Sequence, residues 1–526
     1  MSLSPAAENL RLAYLRCPGA ACRGRKIGLS FLTPSPTNLE SYASIRSNRK
    51  EFDARMKVLV VIPNHGTKND RYLAQVLAEF RSMPYQTDFV LLSNLQKSLG
   101  KDVEVLTGTP TKNPHSLPFG HRKVFAERRD AYDLFIYTED DILIRQRNLE
   151  AHFRAMSVLP ADKLAGFFRY ETYPDGKLFY PDVHESFRWA PGSLERHGDL
   201  TFARYTNEHS GCYVLTRAQL GRAIASGGFL VPPHEGRHGM LESAASDIFT
   251  QCGFQKLVSV SNFEDFLVPH LPNKYLGKLG LDAVEFDRQV DALRGRRPLE
   301  APTASLLEPR SRALRAFGSK NLYEPAREEV LAQFPAGARS VLSIGCGWGA
   351  MEEALMRRGI EVKAIPVDSI IGLLAESRGV RLIHGTFEQA WRQLRGETFD
   401  GILMSNMLQL VDDPASVIQN AAALLNKGGR FVATTPAFHP LPMVVRRLRN
   451  PEQYRGWDDF EHSGLHVFGR RTIRRLFRNA GLLMEKTIRM VPPHREKQVA
   501  ASKGLLRRLF ASEHIFVARQ HSGRAR

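Results

Sequence analysis

Short apolar runs alternate with helical patterns along the first half of the chain. Lys57–Ile62 (KVLVVI) and Tyr132–Tyr137 (YDLFIY) are continuous apolar runs, typical of strands buried on both faces of a parallel sheet. Asp70–Ser82 repeats its apolar positions with a helical period. The pattern predicts further strands at 88–93 and 101–106 and a helix at 121–130. This alternation indicates an α/β fold.

The second half repeats the alternation around a glycine-rich turn. Val341–Gly349 reads VLSIGCGWG, an apolar run that ends in three glycines at alternate positions. It predicts a strand that turns sharply into the helix Ala350–Arg358, whose free N–H groups face a ligand. Further apolar runs at 362–367, 380–384, 399–404 and 430–434 predict a doubly wound, Rossmann-like sheet, which strands at 482–490 and 514–519 close in antiparallel orientation.

An acidic residue follows the second run of this sheet. Asp368 stands 23 residues after Gly345. A carboxylate at the end of this strand can accept hydrogen bonds from ribose hydroxyls. The pattern therefore predicts a nucleoside-containing ligand, and a nucleotide-free Rossmann-like domain is the alternative.

The glycine spacing is GxGxG, and the region from about residue 323 to the C-terminus resembles the class I S-adenosylmethionine-dependent methyltransferases. The matching motifs are SIGCGWG, Val367-Asp368, FDGILMSNMLQLVDDP, LLNKGGRFVATTP and HVFGRRTIRRLFRNAGL. Ser343 stands where the family usually has an acid. The resemblance implies S-adenosyl-L-methionine as cofactor, with the methionine part against Gly345, Gly347 and Gly349, the ribose on Asp368, the adenine beside Thr386 and Phe387, and Asn406 as a further cofactor-binding residue.

The segment 439–469 interrupts the methyltransferase-like pattern without regular periodicity. By the same resemblance, an insertion here helps to shape the acceptor pocket. His439, His462 and His466 are then three candidates for a base, and the sequence does not choose between them.

Three carboxylates follow the buried strand of the first half. Glu139, Asp140 and Asp141 come directly after Thr138. Because adjacent carboxylates repel one another, a positive group is expected among them. Mg²⁺ or Mn²⁺ bridging carboxylates to a diphosphate would suit departure of a nucleoside diphosphate. An acid-rich, solvated turn is the alternative.

Residues 57–280 resemble the GT-A glycosyltransferases, through the opening loop VIPNHG and the acidic motif EDD. The resemblance implies a nucleotide sugar and a glycan acceptor as substrates. Glu139 stands where the family usually has its first aspartate. The implied residues are Glu139, Asp140, Asp141 and His270 at the metal, Pro63, Asn64 and Asn94 at the nucleotide, and Asp247, preferred to Glu242, as general base. Helix capping is the alternative role of the last two acids.

Composition and charge limit the functional classes. The chain has 526 residues with 43% apolar and 24% charged residues, and no apolar stretch approaches the about 18 residues of a membrane helix. Five cysteines, an odd number, favour a reducing, cytoplasmic compartment. No basic patch is interleaved with aromatic residues, so no nucleic acid is expected as a partner.

The positive charge is concentrated near the C-terminus. The net charge is +18 for the chain, and Leu441–Arg526 holds 19 Lys and Arg against seven Asp and Glu, a net of +12. Within it, Arg470–Ala480 places apolar residues on one helical face and five arginines on the other. This predicts a packed helix with a solvated basic face. Peripheral contact with an anionic membrane surface, at its inner face, is the alternative.

The sequence thus predicts an N-terminal GT-A-like nucleotide-sugar domain and a C-terminal methyltransferase domain. The predicted divisions are a leader at 1–55, the glycosyltransferase-like domain at 56–290, a proline-containing linker at 291–320 and the methyltransferase domain at 321–526. A bifunctional enzyme of methylated glycan synthesis is the leading hypothesis. The alternative is a methyltransferase alone, whose N-terminal domain is a degenerate carbohydrate-binding module.

Overall fold

The computed structural model describes residues 56–181, 187–235, 238–278, 280–295, 305–307, 318–438, 441–449, 451, 454 and 456–520. The predicted leader, most of the predicted linker and His439 lie outside the described residues. The described residues all belong to one compact unit.

Strands and helices follow in chain order. The strands are β1 (Lys57–Asn64), β2 (Gln86–Ser93), β3 (Val103–Thr107), β4 (Leu134–Thr138), β5 (Lys163–Ala165), β6 (Phe168–Thr172), β7 (Leu178–Pro181), β8 (Glu195–His197), β9 (Leu200–Ala203), β10 (Cys212–Thr216), β11 (Gln255–Ser259), β12 (Leu267–Pro269), β13 (Gly280–Asp282), β14 (Ser340–Cys346), β15 (Glu361–Pro366), β16 (Arg381–Leu382), β17 (Phe399–Ser405), β18 (Leu425–Pro436), β19 (Leu482–Met490) and β20 (Glu513–Gln520). The helices are α1 (Asp70–Ser82), α2 (Gly120–Glu127), α3 (Gln146–Met156), α4 (Arg217–Ala225), α5 (Met240–Thr250), α6 (Ala283–Arg294), α7 (Glu328–Leu331), α8 (Ala350–Met356), α9 (Ser369–Glu376), α10 (Phe387–Gln393), α11 (Pro414–Ala423), α12 (Leu441–Arg449), α13 (Phe460–Ser463), α14 (Arg470–Asn479), α15 (Pro493–Ala501) and α16 (Arg507–Phe510).

A five-stranded sheet of order β10-β4-β1-β2-β3 organises the N-terminal region. Strands β1 to β4 are parallel and β10 is antiparallel to β4. The apolar residues 58–62 and 134–137 are buried in the sheet, as predicted, while Lys57 is exposed. Because parallel strands share their carboxyl edge, the loops after β1 and β4 lie side by side.

A second core beside this sheet is rich in aromatic side chains. Two four-stranded sheets, β5-β11-β9-β8 and β12-β6-β7-β13, carry it with helix α6. Trp189 is fully buried, and Phe286 of α6 stacks on Tyr180 with ring centroids 4.3 Å apart. Ile370 of α9 belongs to the same cluster. The N-terminal and C-terminal regions therefore share a packed core.

The C-terminal region is a seven-stranded sheet of order β16-β15-β14-β17-β18-β20-β19. Strands β14 to β18 are parallel and β20 runs antiparallel between β18 and β19. The predicted doubly wound sheet and its antiparallel closing strands are confirmed. Helix α14 buries Ile473 and Phe477, so its apolar face is packed as predicted.

Two local predictions were wrong. The sequence pattern also predicts a helix at 323–334, but this segment contains only α7, because Pro325 disfavours helical geometry at the residue before it. The segment 439–469, expected to be irregular, contains α12 and α13 in its described part. None of the helices in the described part of the chain combines the length and apolar character needed to cross a bilayer.

Candidate functional sites

The glycine turn after β14 is in close contact with another backbone segment. Gly345 and Gly349 have positive φ angles of 76° and 91°, which glycine adopts without strain. A Cβ atom at Gly347 would lie 2.1 Å from the carbonyl oxygen of Leu322. The Trp348 backbone N–H donates to this same oxygen at 2.9 Å. The three glycines thus allow a close approach, but the group that approaches in this structure is the protein's own Leu322.

Only a small space remains beside the turn. A cavity of about 10 Å³ is lined by the turn and by Lys320, Glu324, Ser343 and Ser405, among others. Lys320 closes one side, since its Nζ donates to the Ser405 carbonyl at 2.7 Å. Met407 packs against the turn, since a Cβ atom at Gly345 would lie 2.5 Å from its side chain. Ligand pockets usually measure about 300–1,000 Å³. Binding of a nucleoside cofactor beside the turn therefore requires the segment 320–324 to move.

A carboxylate missed in the sequence lies beneath the turn. Glu352 of α8 is buried, and its Oε1 accepts a hydrogen bond from Ser343 Oγ at 2.5 Å. Burial raises the pKa of Glu352. The acid absent at position 343 therefore has a counterpart on the following helix. The sequence contains one signal for Glu352, namely its position on the side of α8 that faces the turn.

Asp368, the predicted ribose ligand, is fully buried and already has partners. Its Oδ1 accepts from the backbone N–H groups of Ile370 and Ile371, both at 2.9 Å, and so caps α9. Its Oδ2 lies 3.1 Å from Nε of Arg188, an arginine of the N-terminal region. Arg188 also donates to Ser305 Oγ at 3.2 Å and to the Leu307 carbonyl.

The other predicted cofactor residues lie at neighbouring strand ends. Thr386 caps α10 by accepting from the Gln389 backbone N–H, and Phe387 stacks on Trp391. Asn406 donates to Glu513 Oε1 at 3.0 Å. None of these three residues lines the cavity beside the glycine turn.

The candidate bases of the 439–469 segment are held in structural contacts. Nε2 of His466 donates to the Val411 carbonyl at 3.0 Å, and its ring stacks on Phe460 with centroids 4.1 Å apart. His462 packs against Gly456, where an added Cβ would lie 3.0 Å from its ring. The geometry assigns a base role to neither of them.

The acidic motif of the N-terminal region opens into a larger cavity. This cavity of about 250 Å³ lies at the carboxyl ends of β1 and β4 and is open to solvent on one side. The lining residues include the predicted Pro63, Glu139, Asp140, Asp141, Glu242 and His270, together with Asn69, Arg169, His209, Lys274 and Tyr275. Arg169, His209 and Tyr275 come from distant segments with no motif to indicate them.

Burial and mutual repulsion alter the acids of this cavity. Burial and the neighbouring Asp141 charge raise the pKa of Glu139 to about 7 and that of Asp140 to about 6. Burial opposes ionisation of Asp141 as well, yet the His270 hydrogen bond lowers its pKa overall. Two of the three carboxyl groups thus bind protons more readily than solvated acids.

The predicted metal ligands are satisfied by protein groups. Asp140 accepts from Asn64 Nδ2 at 2.7 Å and from Asn69 Nδ2 at 2.8 Å. His270 places Nδ1 2.5 Å from Glu171 and Nε2 3.5 Å from Asp141. Among the described residues, no group of three or more His, Cys, Asp or Glu side chains is arranged to hold a metal ion. The predicted four-ligand site is therefore not assembled here.

The remaining nucleotide and base candidates occupy different places. Asn94 accepts from the Gly66 backbone N–H at 2.7 Å and supports the loop after β1. Asp247 lies outside the cavity lining and is 2% exposed, with Oδ2 2.9 Å from Arg122 and 2.8 Å from His234. These partners keep the pKa of Asp247 low against the effect of burial. The preference for Asp247 over Glu242 as general base is not supported, since only Glu242 faces the cavity.

Comparison with known proteins shows which family the C-terminal region resembles. Residues 310–487 match the family model described as a methyltransferase domain. A ubiquinone biosynthesis O-methyltransferase of Xylella fastidiosa (strain 9a5c) is 34% identical over 168 residues, which cover 27% of this chain and 68% of that protein. The chain belongs to the methyltransferase family. The expected methyltransferase domain is thereby confirmed.

Other relatives give the extent of this similarity. The ubiquinone biosynthesis O-methyltransferase of Xanthomonas axonopodis pv. citri is 32% identical over 29% of this chain and 65% of its own length. The S-adenosylmethionine dependent methyltransferase of Mesorhizobium loti, a solved structure, is 18% identical, with a TM-score of 0.28 over 36% of this chain and 96% of that one. This chain spans 48% to 68% of the length of the first three curated relatives that it matches. The family model does not extend to residues 56–290, and the GT-A resemblance there stays a prediction.

Proposed function

We propose that this methyltransferase transfers the methyl group of S-adenosylmethionine to an oxygen atom of an acceptor. The supporting observation is the pairing of the glycine turn after β14 with Asp368 after β15, at adjacent strand ends of the matched domain. The relatives are named O-methyltransferases, which supports oxygen as the acceptor atom.

The residue types fit the cofactor, whereas the enclosed space does not. The glycine turn would hold the methionine part and Asp368 the ribose. We expect the segment 320–324 to leave the turn on binding, because its Leu322 carbonyl occupies the approach to Gly347. Arg327 remains beside it, donating to Ser405 Oγ at 3.1 Å and Thr434 Oγ1 at 3.3 Å, and holds the ends of β17 and β18 together. When bound, S-adenosylmethionine supplies a methyl group on a cationic sulfur for in-line displacement by the acceptor.

A glycine pair provides the test. Gly347→Ala adds a methyl group 2.1 Å from Leu322 O, whereas Gly337→Ala adds one with no atom within 4 Å. We expect Gly347→Ala to lose S-adenosylmethionine affinity in isothermal titration calorimetry, because the added methyl group would fill the space that the cofactor needs once the Leu322 carbonyl has left, and Gly337→Ala to keep it. Circular dichroism checks that both variants fold. Equal affinity in both folded variants would place the cofactor elsewhere.

We propose, as a second function, transfer of a sugar from a nucleotide-sugar donor by the N-terminal region. The cavity of about 250 Å³ at the ends of β1 and β4 supports this, because carboxylates and cationic side chains line it together. Arg169 is 7% exposed, and its Nη2 has no hydrogen-bond partner among the described residues. With Lys274 it suits a diphosphate, and Mg²⁺ or Mn²⁺ can bind through one or two carboxylates together with phosphate oxygens.

Nucleotide binding separates this second function from a carbohydrate-binding module. We expect nucleoside diphosphates to raise the melting temperature only with Mn²⁺ or Mg²⁺ present, and Asp141→Asn to remove that effect. Asp175→Asn, at an exposed turn, is the control. Binding of a glycan without any response to nucleotide and metal would favour the binding module.

A further inference from the structure

The helix α12 carries an apolar stripe on its outer side. Leu441, Val444 and Leu448 are 45%, 39% and 78% exposed, and their spacing of three and four residues puts them on one helical face. Met443, by contrast, is buried in a cluster with Trp457. The helix is therefore anchored by one side while the exposed stripe has no covering among the described residues.

The neighbouring helix α16 extends this apolar surface. It contacts α12, and the side chains of Leu505, just before it, and Leu509, within it, are 82% and 42% exposed. Five of the ten large exposed apolar side chains of the described residues belong to these two segments. Such a concentration differs from the single exposed apolar residues that are common on protein surfaces.

Arginines without acidic partners adjoin the apolar side chains. Arg470 and Arg474 of α14, Arg489 of β19 and Arg508 of α16 lie close enough that burial and the charges of the other three lower the pKa of Arg470. No ion pair joins these four to an acid within the described part of the chain. Nε of Arg489 is buried with no hydrogen-bond partner among the described residues. The cluster therefore carries positive charge that no acid of the described residues neutralises, and arginine side chains bind phosphate groups well.

Arg508 and Leu509 belong to the same helix, α16, which contacts α12, so the arginine cluster adjoins the apolar surface. We propose that this surface, formed by Leu441, Val444, Leu448, Leu505 and Leu509 with Arg470, Arg474, Arg489 and Arg508, binds the face of an anionic phospholipid bilayer. The leucines enter the boundary of the acyl chains, and the arginines bind lipid phosphates. The exposed leucines favour a membrane over a soluble polyanion, because a polyanion offers no hydrocarbon to bury them.

Flotation of the full-length protein with vesicles tests the proposal. We expect binding to vesicles of phosphatidylcholine with 30 mol% phosphatidylglycerol, weaker binding at high salt, and little binding to phosphatidylcholine alone. Leu448→Glu should abolish flotation. Val284→Glu, a change at a 67% exposed position of α6, is the matched control and should float as the wild type does.

The arginines supply a second variant. Arg470→Gln with Arg474→Gln should weaken partitioning by roughly fivefold for each arginine removed. Unchanged melting temperatures establish that the variants fold. Flotation that is equal with and without anionic lipid, or unaffected by Leu448→Glu, would overturn the proposal. Binding to soluble heparin without binding to vesicles would replace it with an acidic macromolecular partner.

Discussion

Removal of the ion pair between Arg188 and Asp368 should destabilise the folded chain. The two side chains are 10% and 0% exposed, with Nε and Oδ2 3.1 Å apart. Removing one member of a buried pair leaves the other charge uncompensated, which costs about 3–5 kcal/mol of the free energy of unfolding. Arg188→Met should lose that amount. Asp368→Asn should lose a similar amount, since asparagine still caps α9.

The double variant isolates the pairwise energy. Arg188→Met with Asp368→Asn removes both charges, so its loss should fall short of the sum of the single losses by about 2–3 kcal/mol. Urea unfolding followed by tryptophan fluorescence measures each value. Strictly additive losses, or a loss below about 1 kcal/mol for Arg188→Met, would show that the pair carries little coupling energy.

The single variant Arg188→Met should also change the effect of the cofactor. Arg188 occupies Oδ2 of the carboxylate that the ribose hydroxyls would use. In Arg188→Met the carboxylate is buried without its cation, so hydrogen bonds from a ligand gain in value. S-adenosylmethionine should therefore raise the melting temperature of Arg188→Met by more than that of the wild type. An equal or smaller shift would indicate that the ribose does not reach Asp368.

Two further predictions concern pH. Burial lowers the pKa of Lys256 to about 8, below that of an unfolded lysine. Between pH 8 and about 10.5 the unfolded chain therefore binds more protons at this group, and the stability that Lys256 contributes rises with pH by about 1.4 kcal/mol per pH unit. In urea unfolding, the slope of stability against pH should be more positive for the wild type than for Lys256→Met by about this amount, and identical slopes would contradict the prediction. Burial raises the pKa of Asp140 to about 6. The stability that protonated Asp140 contributes is therefore fully present below about pH 4 and is lost as the pH rises through 6. Relative to the wild type, Asp140→Asn should be more stable at pH 7.5 than at pH 5, and a stability difference that does not depend on pH would contradict this prediction.

Local sequence patterns predicted the sheets well because each depends on a few neighbouring residues. The apolar runs at 57–62 and 341–345 identified strands, and the position of Glu139–Asp141 after a buried strand identified a cavity wall. Asp140 and Glu242 line that cavity as expected of site residues, although their chemical roles stay predictions.

The contacts that define each site could not be predicted in the same way. Arg188 meets Asp368 across 180 positions of sequence, and no local pattern joins them. Asp247 was preferred as a base from its place in the chain, but Arg122, 125 residues away, pairs with it in the interior. The sequence does not indicate the exposed stripe of α12, because arginines and Pro442 interrupt its apolar period.

Hydrogen exchange of the full-length protein, with and without S-adenosylmethionine, tests the central claim most directly. We expect the exchange rates of segments 318–324 and 345–349 to change together on ligand addition, because the Leu322 carbonyl must leave Gly347 for the cofactor to bind there. Absence of any change in these two segments at saturating ligand would contradict the account.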